Sequence, residues 1–130
     1  MIKKVGAAII KNRKLLVVSK KKYPDQFMLP GGKPEKNETE LETLTRELQE
    51  ELQLRVISTK LLGKHETTSM FETEPLTMTV YLTKVHGTPT PDTEIASYKW
   101  IDIDSQNTEA LGSGITEFTL PLLRRMVGNE

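Results

Sequence analysis

Three carboxylates, Glu47, Glu50 and Glu51, stand at spacings i, i+3 and i+4 within the run Arg46-Glu47-Leu48-Gln49-Glu50-Glu51-Leu52-Gln53-Leu54. Side chains so spaced share one face of a helix. Like charges there cost an isolated helix roughly 0.2–0.5 kcal/mol per pair, so the cluster calls for a counter-charge. A hard divalent cation supplies one, because Mg²⁺ prefers oxygen ligands. The cluster follows the segment Gly32-Lys33-Pro34-Glu35-Lys36-Asn37-Glu38, itself preceded by Pro30 and Gly31. A Pro-Gly-Gly run reads as a tight turn.

The elements that must hold these groups are legible around them. Thr39-Glu40-Leu41-Glu42 matches a capping box, with Thr39 as N-cap and Glu42 reaching back. Leu41, Leu44, Leu48 and Leu52 recur on one face, roughly a right angle away from the glutamates at about 100° per residue. Such a helix packs through its leucines and offers its carboxylates at a cleft. Upstream, Val5 to Ile10 reads as a buried strand, Lys11 to Lys14 as a polar turn, and Leu15 to Val18 as a hairpin partner. Lys20 to Asp25 reads as a loop and Phe27 to Leu29 as a short strand. Downstream, Val56 to Glu66 is expected to be extended and broken near Gly63. Leu76, Met78, Val80 and Leu82 alternate with Thr77, Thr79, Tyr81 and Thr83, the pattern of a half-buried strand. A Pro-rich loop spans Gly87 to Pro91, and Tyr98 to Ile101 reads as a further strand. The segment from Asp104 to Leu111 has room for a helical turn, and a last helix is expected to begin near Pro121. Strands, a helix, more strands and a terminal helix indicate an α+β class, without the regular β-α alternation of a doubly wound nucleotide fold.

The bulk properties narrow the function classes. The 130 residues fit a single domain, 1–130. Lys+Arg and Asp+Glu balance at 18 each, which argues against an extended nucleic-acid surface, normally basic. With no Cys, neither disulfides nor thiolate metal sites exist. No apolar run approaches the roughly 20 residues of a membrane helix, and Val5 to Ile10 is too short for a signal-peptide core. A cytoplasmic protein with no membrane partner is the expectation.

The stretch from Gly32 to Leu54 resembles the signature of the Nudix hydrolases: a Gly, five residues, a Glu, seven residues, then Arg-Glu-aliphatic-x-Glu-Glu-x-Gly-aliphatic. Gly32, Glu38, Arg46, Glu47, Leu48, Glu50, Glu51 and Leu54 fall in place, and Gln53 departs from the family's Gly. A left-handed residue commonly ends a helix at such a position; Gln there either costs roughly 1–2 kcal/mol in that conformation or the helix ends differently. Asn37 tolerates left-handed geometry better than most residues. The surrounding order of elements is similar to small MutT-type members, which implies a Nudix-like α/β/α sandwich with a mixed central sheet.

The resemblance implies a chemistry as well. Nudix enzymes cleave a nucleoside diphosphate linked to another moiety. Glu47, Glu50 and Glu51 would bind Mg²⁺, with Mn²⁺ as a substitute and the Gly31 carbonyl as an extra ligand. Arg46 would orient the glutamates, and Glu38 would support the loop–helix junction. The general base would be a box glutamate or Glu94, six residues before Trp100. Lys33 and Lys20 are phosphate contacts on this reading; a solvated Lys20-Lys21-Lys22 turn is the plain alternative. Trp100 reads as core rather than as a stacking platform, and Phe27, Phe71 and Tyr81 as undifferentiated candidates for a base pocket. A nucleoside triphosphate, oxidised forms included, is the favoured substrate, giving a nucleoside monophosphate and pyrophosphate. ADP-ribose, other sugar nucleotides and dinucleoside polyphosphates are the rivals. A nucleotide-sensing domain without catalysis, and a purely structural acidic helix, are the readings of another class. Whether the protein is a monomer or a homodimer stays open.

Overall fold

The computed structural model describes residues 2–68, 74–104, 110–112 and 115–128. The strands are β1 (Ile2–Ala8), β2 (Ile10–Lys11), β3 (Lys14–Lys20), β4 (Tyr23–Met28), β5 (Gly31–Gly32), β6 (Arg55–Thr68), β7 (Pro75–His86) and β8 (Ile95–Asp102). Helix α1 covers Glu40–Leu52 and α2 covers Leu120–Gly128, the latter entered through a π-turn at Ile115–Thr119. One sheet is mixed, in the order β5-β1-β7-β6, with β1 and β7 parallel. The other is antiparallel: β8 lines one edge of β3, while β2 and β4 share the opposite edge.

Two cores explain why the apolar runs are so continuous. In β3, Leu16 and Val18 join Val5, Ala7 and Ile9 under α1, where Leu44, Leu48, Leu52 and Leu54 are buried. The alternate residues Leu15 and Val17 join Ala8, Val80 and Ile103 under Ile115, Leu120 and Leu123 at the other helix. A strand covered on both faces shows no polar alternation. The class is therefore α+β, with a mixed sheet flanked by helices, as the sequence indicates.

Several local expectations are corrected. β1 and β3 are not hairpin partners. The chain leaves the mixed sheet after Ala8, and the hairpin joins β2 to β3 through Asn12 and Arg13, both left-handed at φ 53° and 60°. Two consecutive positive φ values match the twist of a two-residue hairpin. The loop expected at Lys20 to Asp25 shrinks to a turn at Lys21 and Lys22: Lys20 ends β3, and Tyr23 to Asp25 open strand β4, whose Pro24 is tolerated on an edge. Gly31–Gly32 is not a turn but a short strand paired with Val5 and Gly6. Strand β7 is not half-buried with polar threonines outward, because Thr79 and Thr83 are buried too; it lies inside the sheet between β1 and β6. Leu41 leaves the leucine stripe and is 46 % exposed. Strand β6 is unbroken from Arg55 to Thr68; in place of the break expected near Gly63 its register against β7 shifts between Val56 and Ser58 and between Leu61 and Gly63. Of the segment from Asp104 to Leu111, residues 105–109 lie outside the described residues, and Leu111 bridges Phe27.

Candidate active site on the acidic helix

The site begins with the start of α1. Thr39 caps it in extended geometry, its hydroxyl accepting from Glu42 N at 3.1 Å while Glu42 Oε1 accepts from Thr39 N at 3.0 Å. Both halves of the predicted capping box are thus made, and two otherwise orphaned donors are satisfied. Just before it, Asn37 adopts φ 66°, which directs Glu38 back toward the helix.

Arg46 then ties the junction to the acidic face. Its Nε and Nη2 donate to the two oxygens of Glu38 at 2.7 and 2.9 Å. Its Nη1 donates to Glu47 Oε1 at 2.9 Å and to Glu50 Oε2 at 3.2 Å. Nη2 also reaches the Lys33 carbonyl at 3.3 Å. The planar guanidinium suits this two-sided role. Glu38 further accepts from Glu35 N at 2.9 Å and has the Thr43 hydroxyl at 2.8 Å. The Arg46 hydrogen bond, with the Glu35 amide behind it, holds the Glu38 carboxyl down at about 2. Arg46 in turn stays firmly cationic, chiefly through Glu38.

The other end of the face is different. Glu51 is only 2 % exposed. Gly31 N–H donates to its Oε1 at 2.8 Å, yet burial dominates and pushes its carboxyl up to about 8, with Glu47 and Glu94 adding repulsion and Lys20 partly offsetting it. Glu47 is also raised, first by burial, against the opposing pull of Arg46. Close approach of β5 makes this burial: a Cβ on Gly32 would lie 2.6 Å from Glu47 Cδ. At Gly31, with φ 142°, a Cβ would meet the Val5 carbonyl at 2.0 Å. The Gly-Gly pair is therefore required by contact with both β1 and α1.

Glu94 comes from the loop between β7 and β8, which the Thr93 hydroxyl and the Asp92 amide tie to the carbonyls of Glu50 and Glu51 at 3.1 and 2.9 Å, and its charge adds slightly to the upward push on Glu47 and Glu51. Its Oε1 lies 3.6 Å from Lys20 Nζ, and its carbonyl accepts from Lys21 N at 2.8 Å. The structure thus groups Glu47, Glu50, Glu51, Glu94, Arg46, Lys20 and the Gly31–Gly32 backbone. Lys33 joins through its carbonyl. Among the described residues no three acidic or imidazole groups converge at ligand distance as they stand: oxygens of Glu47 and Glu50 face Arg46, and Glu51 faces Gly31. Trp100 packs against the α1 core, as expected, and Tyr81 packs there too, its hydroxyl 3.4 Å from Glu40. The Phe27 ring carries Lys99 Nζ 4.1 Å from its centroid, and Phe71 lies outside the described residues. Two participants escaped the sequence reading. Thr43 is a buried hydroxyl beneath Glu38, and Asp92 binds the end of α1; the first is hidden in a helix repeat and the second in an ordinary acidic loop.

The architecture is that of MutT-like Nudix hydrolases. It superposes on the MutT NUDIX hydrolase of Burkholderia pseudomallei with TM-score 0.79 at 24% identity, covering 94% of this chain and 97% of that one. For the MutT protein of Methanosarcina mazei Go1 the values are 0.82, 20%, 95% and 94%, and for an ADP-ribose pyrophosphatase of Streptococcus suis 89-1591 they are 0.69, 18%, 95% and 91%. At such identities the likeness is one of fold. Comparison with curated protein sequences gave no match. The NUDIX domain model matches residues 2–119, and the chain belongs to the NUDIX family, as a hydrolase of the Nudix pyrophosphohydrolase type. Among the described residues no helix is long and apolar enough to cross a membrane.

Proposed function

We propose that this protein hydrolyses a nucleoside diphosphate linked to another group, with a nucleoside triphosphate, oxidised forms included, as the favoured substrate and a nucleoside monophosphate and pyrophosphate as products. The observation that carries the reading is the contrast on α1: Glu51 is buried and Glu47 half-buried, and burial disfavours ionisation of both, while Arg46, bonded to Glu47, is locked in place by Glu38. An all-oxygen carboxylate set, with Glu47 and Glu51 partly or wholly desolvated against glycine backbone and Glu50 open to solvent, fits a hard cation. Glu47, Glu50 and Glu51, with the Gly31 carbonyl, would hold Mg²⁺, and Mn²⁺ in its place. Bound there, such an ion neutralises charge on the phosphate oxygens and orients a water.

The protein's own groups supply the rest. Arg46 keeps Glu47 and Glu50 aimed along one face. Glu94 accepts a proton from the attacking water while the phosphoanhydride bond breaks and pyrophosphate leaves. The Lys20 ammonium, 3.6 Å from Glu94, and Lys33 balance phosphate charge. The fold likeness to an ADP-ribose pyrophosphatase makes sugar nucleotides the second substrate class to test. A panel of nucleoside triphosphates, sugar nucleotides and dinucleoside polyphosphates with Mg²⁺ separates them, scored for substrate consumed and for phosphate or pyrophosphate released. Consumption of a triphosphate with release of pyrophosphate supports the reading. Tight binding of a nucleotide without product would instead indicate a sensing domain.

A further inference from the structure

Helix α1 ends at a residue in a left-handed conformation, Gln53, with φ 55° and ψ 36°. The last carbonyls of a helix lack partners inside it, and here the loop between β7 and β8 supplies them. Thr90 N donates to Leu52 O at 2.9 Å, Asp92 N to Glu51 O at 2.9 Å, and the Thr93 hydroxyl to Glu50 O at 3.1 Å. Asp92 is the hub of this seam. Its Oδ1 accepts from Thr93 N at 2.7 Å, its Oδ2 from Gln53 Nε2 at 3.0 Å, and its carbonyl from Ile95 N at 3.0 Å. Thr93 itself is held left-handed at φ 54°. Glu94 follows directly, its carbonyl fixed by Lys21 N.

We propose that Asp92, latched by Gln53, is a positioning residue that sets Glu94 against the acidic helix; this rests on the reading of Glu94 as the base. The same bonds that close the carbonyls of Glu50 and Glu51, one from the Thr93 hydroxyl and one from the Asp92 amide, carry the loop that presents Glu94, so one short seam sets Glu94 against the helix. A general base must lie within hydrogen-bond reach of its proton, and small misplacements are costly. The side-chain bonds of the seam are exposed, so they add little to global stability. Their loss shows in turnover rather than in Tm.

The test compares Asp92→Ala, Asp92→Asn and Gln53→Gly in the full chain. Asp92→Ala lowers kcat about ten-fold, short of the loss a full 1 Å misplacement brings, with KM and Tm close to wild type. Asp92→Asn restores it, because Asn still accepts from Thr93 N and the Gln53 amide can turn over to meet it. Gln53→Gly relieves the left-handed strain, so it keeps or raises Tm while lowering kcat. In a Glu94→Gln background, Asp92→Ala costs nothing further. Amide hydrogen exchange reads the seam without substrate: the Thr93 amide, which loses its Asp92 Oδ1 acceptor, exchanges about ten-fold faster in Asp92→Ala, as loss of a hydrogen bond near 1.4 kcal/mol gives. Wild-type kcat and exchange in Asp92→Ala overturns the proposal. So does an Asp92→Asn variant as impaired as Asp92→Ala, or a full second loss on top of Glu94→Gln. If even the wild type hydrolyses no nucleotide, the functional reading fails, and the exchange rates alone keep or overturn the clamp.

Discussion

Glu38, just before α1, and Glu51, in its last turn, flank one arginine-linked acidic cluster, yet the protein treats them in opposite ways. Glu38 sits in a closed network of Arg46, Thr43 and the Glu35 amide, and is held down at about 2. Glu51 sits under β5, buried beside Glu47, and is pushed up to about 8. The first is a carboxylate whose charge is already compensated, so it builds structure. The second sits where burial opposes its ionisation, a cost that a bound cation would offset on the proposed reading. Perturbation of this second kind, by burial and neighbouring acids in one cluster, is what active sites assemble.

Removing each acid should expose the difference most strongly. Glu51→Gln lowers turnover by about 10²–10³-fold, the loss that follows removal of one electrostatic stabiliser of developing charge, while Tm in chelator stays level or rises. Glu38→Gln lowers Tm, because Arg46 loses its bidentate partner, and lowers turnover only as far as Arg46 drifts. Circular dichroism melts beside initial rates check both. Equal effects of the two variants would erase the contrast.

The glycines give the next largest effect. Gly32→Ala displaces the flexible end of Glu47, so turnover drops by up to about 10²-fold for a shift near 1 Å with little loss of Tm. Gly31→Ala meets backbone and an unfavourable φ, so it lowers Tm first.

The pH dependence of stability sharpens the comparison further. Glu51, raised from 4.5 to about 8, contributes fully below about pH 4.5, and that contribution is lost as the pH rises through 8. Glu38, lowered from 4.5 to about 2, contributes fully above about pH 4.5 and loses its share as the pH falls through 2. In chelator, Glu51→Gln therefore flattens the alkaline side of the Tm profile and Glu38→Gln the acid side. The smallest effect belongs to Leu41→Lys, within about 0.5 kcal/mol, because Leu41 is exposed.

What could be read from the chain was local. The capping box, the buried leucines and the acidic spacing of α1 follow from period and cap chemistry, and all are made within a few residues of sequence. At Gln53 the sequence leaves two endings open, and the chain takes the left-handed one. Non-local pairing was not. Gly31–Gly32 has the composition of a turn, and only its register with Val5 and Gly6 makes it a strand. The step from β1 to β2 was hidden because Val5 to Ile10 is apolar on both faces. Leu41 keeps the helical period but precedes the point where α1 meets the core. The family resemblance carried the roles of Arg46 and Glu38, whereas the hydrogen bonds of Asp92 join positions far apart in the chain and leave no motif.

The central claim is that the buried acid at Glu51 is kept for a divalent cation. Calorimetry of Mg²⁺ binding at neutral pH in buffers of different ionisation enthalpy measures it directly. The wild type should bind one or more ions and release about one proton, as expected for a carboxyl near 8 driven to ionise, and Glu51→Gln should release none. Mg²⁺ binding without proton release, or no binding at all, would contradict the account.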